Sequence, residues 1–155
     1  MNRLCEQVIR TLAERGKTLS TAESLTGGGI GAALTAVPGA SAVYCGGVIS
    51  YVNDVKHRVL GVSREDLDEF GAVSAPVAKA MAQGARNLLH TDYAISVTGL
   101  AGPTGDEYGN PVGTVFIGLA SEQGTSLRTC RFEGNRQEIR EQTMESALRF
   151  LLEQL

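Results

Sequence analysis

A β-branched run, Thr18 to Ala22, gives way within a few residues to Gly27-Gly28-Gly29 and then to an apolar, small-residue stretch reaching Ala36. That junction predicts a strand, a tight turn and a helix, because the glycines admit backbone conformations closed to other residues. It constrains the fold more than any other segment, since a strand feeding a helix is the building unit of layered α/β proteins. It also places Ser24 where the first N–H groups of a helix lack intrahelical partners. Such a junction can hold an anion, or the oxyanion formed when its own serine attacks a carbonyl.

The elements around it follow from periodicity and caps. Leu4, Val8 and Leu12, with Cys5 and Ile9 beside them, mark an amphipathic first helix that ends at Gly16. Thr26 to Ala36 reads as the helix after the glycine turn, and Ala42 to Tyr51 as a second β-rich stretch. Asn53 offers a cap for a short helix carrying Lys56, His57 and Arg58. Ser63-Arg64-Glu65-Asp66 resembles a capping box for a helix that Gly71 closes, and Ser74 with Pro76 opens the next. Tyr93 to Thr98 is a short apolar strand, and Gly99 to Pro111 a loop. Val112–Ala120 and Leu127–Phe132 form a hairpin turning at Glu122-Gln123-Gly124, and Asn135 starts a final helix. The order α-β-α-β-α-α-α-β-β-β-α predicts one domain over residues 1–155, a layered α/β sandwich with helices packed around a mixed sheet.

Composition narrows the function. A net charge of −3 and 5% aromatic residues without tryptophan argue against nucleic-acid or anionic-membrane partners, which need basic faces or stacking platforms. No apolar stretch approaches the roughly 20 residues of a membrane span. Charges at Arg3, Glu6, Arg10, Glu14 and Arg15 are incompatible with a signal-peptide core. Three widely spaced cysteines, Cys5, Cys45 and Cys130, suit reduced thiols and a cytoplasmic setting. With His57 and His90 the only histidines, a multi-histidine metal site is excluded, and no metal or cofactor is expected.

The chemistry-bearing residues leave alternatives open. Gly27 to Ala32 formally satisfies G-x-G-x-x-A, but the next β-stretch ends in no clear ribose-binding acid, and no Lys-Ser or Lys-Thr follows to make a Walker loop. Ser24 as a nucleophile needs a base and an oxyanion hole, the latter available from the N–H groups of the glycine turn. His57 stands in a basic cluster with no orienting acid. Lys56 can serve if burial or neighbouring positive charge lowers its pKa, with the Tyr51 phenol relaying a proton or holding it in place. Against this stand three plain readings: Ser24 as a helix cap, Tyr51 as a sheet-end aromatic and Lys56 as a solvated charge. A second glycine loop, Thr98 to Gly105, leaves a strand in the same sense and can face the same crevice. Arg136, at a helix start, can present its fork to a phosphate or simply lie exposed.

Taken together, six ordered blocks resemble a known family. They are Thr21-Ala22-Glu23-Ser24-x-Thr26-Gly27-Gly28, Val37-Pro38-Gly39-Ala40-Ser41, Gly47-Val48-Ile49-Ser50-Tyr51-x-Asn53-x-x-Lys56, Gly71-Ala72-Val73-Ser74, Thr98-Gly99-x-Ala101-Gly102-Pro103 and Pro111-Val112-Gly113-Thr114-Val115. The family is the C-terminal domain of competence-damage-inducible protein A with its stand-alone relatives, the nicotinamide-nucleotide amidohydrolases. The resemblance implies hydrolysis of the carboxamide of nicotinamide mononucleotide to nicotinate mononucleotide and ammonia, in pyridine-nucleotide salvage. It implies Ser24 as nucleophile, Lys56 and Tyr51 as its partners, and no metal. It further implies substrate contacts at Thr26, Gly27, Gly28, Thr98, Gly99 and Arg136, with Arg136 toward the 5′-phosphate, and a homodimer or higher homo-oligomer. Leu25, Val52 and Asn110 depart from the family pattern, where a cysteine, a small polar residue and a lysine are common. The larger N-terminal domain of full-length members has no counterpart here, so its activity is not expected. A non-catalytic nucleotide-binding relative and an interaction module are the alternative functions.

Overall fold

A computed structural model describes all 155 residues. Five strands form one open sheet in the order β2-β1-β3-β4-β5. They are β1 (Leu19–Glu23), β2 (Tyr44–Ile49), β3 (Tyr93–Gly99), β4 (Thr114–Ser121) and β5 (Gly124–Arg131). β1 pairs parallel to β2 and to β3, whereas β4 runs antiparallel to both of its neighbours, β3 and β5. The sheet is therefore mixed, as the element order implies.

Helices cover both faces. α1 (Asn2–Arg15), α2 (Gly29–Thr35) and α6 (Arg136–Gln154) lie on one side, where Val8, Leu12, Ile30, Leu34, Leu148 and Leu151 pack on Ile95, Val97 and Ile117. α3 (Asn53–Leu60), α4 (Arg64–Phe70) and α5 (Ala75–Leu89) cover the other, where Leu60, Leu67, Val77 and Met81 meet Ala22, Ala94 and Ala120. The small residues on this second face let α5 approach closely: a Cβ at Gly118 would stand 2.6 Å from the Ala78 carbonyl oxygen. Burying these apolar side chains is the main drive for the three-layer arrangement.

Local signals act as read, with informative shifts. Gly16 closes α1 and Gly61 closes α3, both in the left-handed conformation. Asn135 and Glu138 form a reciprocal capping box on α6, and Ser63 accepts the Asp66 N–H at α4. α2 begins at Gly29 rather than Thr26, because residues 26–28 are taken up by the turn, with Gly27 and Gly28 at positive φ. Asn53 is not a cap: it is the first residue of α3, and Val52 precedes it without a side-chain cap bond. β5 starts at Gly124, three residues earlier than Leu127, so the hairpin turns on Glu122 and Gln123 alone.

The chain leaves β1 toward β2 through α2 on one face, then returns to β3 through α3, α4 and α5 on the other. The carboxyl ends of β1 and β3 thus flank a topological switch point, the place where open α/β sheets form binding crevices.

Candidate active site

At that switch point lies a cavity of about 310 Å3 lined by residues of five segments. Ser24 and Leu25 come from the end of β1, Tyr51 and Lys56 from the β2–α3 region, Thr98 to Gly105 from the β3–β4 loop, and Arg136 from the start of α6. Ala72 and Val73, between α4 and α5, close the remaining wall.

Ser24 is held on both flanks. Its own N–H donates to Val97 O of β3 at 3.1 Å, while the Glu23 carbonyl beside it accepts the Ser50 N–H at 2.8 Å. Its hydroxyl faces Lys56, which α3 drives into the protein until only 1% of the residue is exposed. Lys56 Nζ lies 2.9 Å from Ser24 Oγ, and it donates to the carbonyls of Ser50 at 2.6 Å and Tyr51 at 3.3 Å. No carboxylate pairs with it. Burial therefore disfavours its charge and brings its pKa from an ordinary 10.5 down to about 8. The plain reading of Lys56 as a solvated surface charge is overturned by this burial.

The arrangement has a direct chemical consequence. A neutral amine keeps two N–H donors, and the two carbonyls accept both of them. The lone pair is then left for the third direction, toward the Ser24 hydroxyl. Two backbone carbonyls thus do for lysine what a carboxylate does for a catalytic histidine.

Of the nine residues the sequence singles out, six line the cavity: Ser24, Tyr51, Lys56, Thr98, Gly99 and Arg136. Tyr51 touches Lys56 through its main-chain carbonyl; its phenol is 3.1 Å from an Arg136 nitrogen and accepts from it. The same guanidinium donates to the Gly102 carbonyl at 2.6 Å, so Arg136 spans the mouth of the cavity. The Thr98 hydroxyl is buried and donates to Ala72 O at 2.8 Å, which ties the loop after β3 to the α4–α5 connection.

Thr26, Gly27 and Gly28 stand apart from the lining. Thr26 donates its hydroxyl to Glu23 at 2.6 Å, and the Gly27 N–H donates to the Ser24 carbonyl at 3.1 Å. Gly28 packs against Ile49 on the far side of the turn. The start of α2, which the sequence offers as an anion cradle, is occupied from within: the Glu23 carboxylate accepts the N–H groups of Ile30 and Gly31. Leu25, Ala101 and Gly102 are among the cavity-lining residues whose amides have no backbone acceptor, as are Tyr51, Ala72, Val73, Thr104 and Gly105. Sequence reading missed both this donor set and Glu23. Main-chain N–H groups leave no trace in residue type, and a glutamate beside a serine carries no sign in the sequence of what its carboxylate will hold. No helix of the structure is long and apolar enough to cross a membrane.

Comparison with known proteins gives the lineage. The CinA C-terminal domain family model matches residues 1–155. A CinA-like protein of Synechococcus sp. (strain CC9902) is 53% identical over 133 residues, which are 86% of this chain and 32% of that protein. A CinA-like protein of Geobacter metallireducens is 49% identical over 148 residues, 96% of this chain and 36% of the relative. The chain therefore spans about a third of the length of these relatives. Among solved structures, the competence/damage inducible protein CihA of Agrobacterium tumefaciens superposes with TM-score 0.94 at 40% identity, covering 98% of this chain and 93% of that one. The competence damage-inducible protein A (ComA) of Klebsiella pneumoniae superposes with TM-score 0.96 at 37% identity, covering 98% and 94%. With the family model matching all of residues 1–155 and near-complete superposition on these structures, the chain belongs to the CinA C-terminal domain family.

Proposed function

We propose that this domain is a serine amidohydrolase that removes the carboxamide nitrogen of nicotinamide mononucleotide as ammonia, leaving nicotinate mononucleotide. The observation that carries the reading is the buried Lys56 amine, 2.9 Å from Ser24 Oγ with its other directions held by two carbonyls. A lysine buried without a carboxylate costs stability, and its value lies in being a base near neutral pH.

In the reaction, neutral Lys56 takes the Ser24 proton as Oγ attacks the carboxamide carbon. The developing oxyanion is met by unpaired main-chain N–H groups, those of Leu25, Ala101 and Gly102, beside the nucleophile and on the β3–β4 loop, being among the available donors. Protonated Lys56 then delivers its proton to the amide nitrogen, the C–N bond breaks, and ammonia leaves. Water, deprotonated by the same lysine, attacks the acyl-enzyme ester, releasing the carboxylate and regenerating Ser24. Arg136 lies at the mouth, where a 5′-phosphate can replace its resting contacts with Tyr51 and Gly102. The cavity is of the size that takes one small nucleotide.

The deciding experiment is ammonia and nicotinate mononucleotide release from nicotinamide mononucleotide, run beside Ser24→Ala and in excess chelator. Turnover that survives chelator and disappears in Ser24→Ala supports the reading. A folded wild type that binds the mononucleotide without releasing ammonia would instead be a binding-only relative.

A further inference from the structure

We propose that Glu23 is the positioning residue of the nucleophile, acting through Thr26 and the start of α2; this rests on Ser24 and Lys56 being the reacting pair. The Glu23 carboxylate is 2% exposed, and no lysine or arginine pairs with it. A buried carboxylate without a cation is destabilising unless hydrogen bonds compensate it, so its retention calls for a specific role.

Three donors converge on it. Oε1 accepts from Thr26 Oγ1 at 2.6 Å and from Ile30 N at 2.9 Å, and Oε2 accepts from Gly31 N at 3.0 Å. These bonds bracket Ser24 to Gly28 between the end of β1 and the first turn of α2. They close the nucleophile turn into a ring, and opening it would strip the buried carboxylate of its three donors. The main chain of Glu23 also reaches the base: its carbonyl accepts Ser50 N at 2.8 Å, and the Ser50 carbonyl accepts Lys56 Nζ at 2.6 Å. One residue therefore holds the serine by its side chain and the lysine's cradle by its backbone. Close packing around it leaves little room to drift, since a Cβ at Gly31 would stand 2.7 Å from the Tyr44 hydroxyl and 3.6 Å from Glu23 Oε2.

Thr26 thereby belongs to the turn and not to the substrate, and that distinction is measurable. In Glu23→Gln, an NH2 group replaces one oxygen and faces an N–H or O–H donor across the same gap. Thr26→Val keeps the shape and deletes only the hydroxyl. Thr26→Ser keeps the hydroxyl. The readouts are kcat and KM for ammonia release, plus the rate at which a fluorophosphonate labels Ser24, where Oγ bonds to phosphorus and fluoride departs. Circular dichroism checks that each variant is folded.

A loose nucleophile loses rate steeply with misplacement, about 100-fold for 1 Å. Glu23→Gln and Thr26→Val are accordingly expected to lower kcat at least tenfold with KM within threefold, to slow labelling in parallel, and Thr26→Ser to restore both. A folded Glu23→Gln or Thr26→Val with kcat and labelling within twofold of wild type overturns the proposal. So does a raised KM at unchanged kcat for Thr26→Val, which would return Thr26 to the substrate. If the wild type labels at Ser24 but releases no ammonia from the mononucleotide, the substrate assignment fails, and the labelling ratios still decide the role of Glu23.

Discussion

The pH dependence of turnover tests the lysine directly. With the amine at about 8, roughly one Lys56 in eleven is neutral at pH 7 and about ten in eleven at pH 9. If the neutral amine is the base, kcat/KM for the mononucleotide rises about tenfold over that interval and levels off, with its midpoint near 8, because this profile reports free-enzyme pKa values. An amine at its ordinary 10.5 would be neutral in only about one molecule in 3,000 at pH 7, and the rate would climb about 100-fold by pH 9 without bending. The phosphate of the substrate titrates near 6, so the window from pH 7 to 10 isolates the enzyme group. The assay is ammonia release at low substrate, with initial rates in buffers of constant ionic strength. Lys56→Met, which keeps the length but carries no base, should lose about 100- to 10,000-fold at pH 9. A flat profile between pH 7 and 9, or a climb that continues past 9.5, would refute the argument that burial prepares this lysine.

The same shift predicts a stability change. Between about 8 and 10.5 the unfolded chain holds the Lys56 proton and the folded chain does not, so stability from this group rises with pH there, and the full cost is present below 8. At about 1.4 kcal/mol per unit, the urea stability of wild type relative to Lys56→Met should therefore rise by about 3 kcal/mol from pH 7.5 to 10.5; a constant difference would contradict it. Gly84 of α5 lies against the Leu60 carbonyl at the end of α3, where a Cβ would collide with backbone. Gly84→Ala is expected to push α3, and Lys56 with it, away from Ser24, destabilising by about 1–3 kcal/mol and lowering kcat even at pH 9; unchanged kcat at pH 9 would show that α3 absorbs the strain. Arg136→Ala should cost the phosphate-bearing substrate about 1.5–3 kcal/mol of kcat/KM, about 10- to 150-fold, while leaving nicotinamide riboside nearly unaffected. Equal losses for both would detach Arg136 from the phosphate.

What the sequence determines by itself here is what local chemistry can encode. Apolar spacing places α1 and α6, Gly16 and Gly61 end their helices, Asn135 with Glu138 opens the last, and the strand-to-glycine junction marks where a site forms. Ser24 and Lys56 are nameable because their residue types are reactive. Only the tertiary structure decides which of these side chains meet. Lys56 reaches Ser24 because α3 carries it into the interior, where the carbonyls of Ser50 and Tyr51 accept its N–H groups. Glycines 27 and 28, the most conspicuous letters in the chain, serve the turn instead of the cavity, because the start of α2 already binds the carboxylate of Glu23. The physical reason is that burial and hydrogen-bond competition are properties of the assembled layers: Lys56 meets Ser24 from 32 residues away, and its pKa falls only because the folded layers close over it.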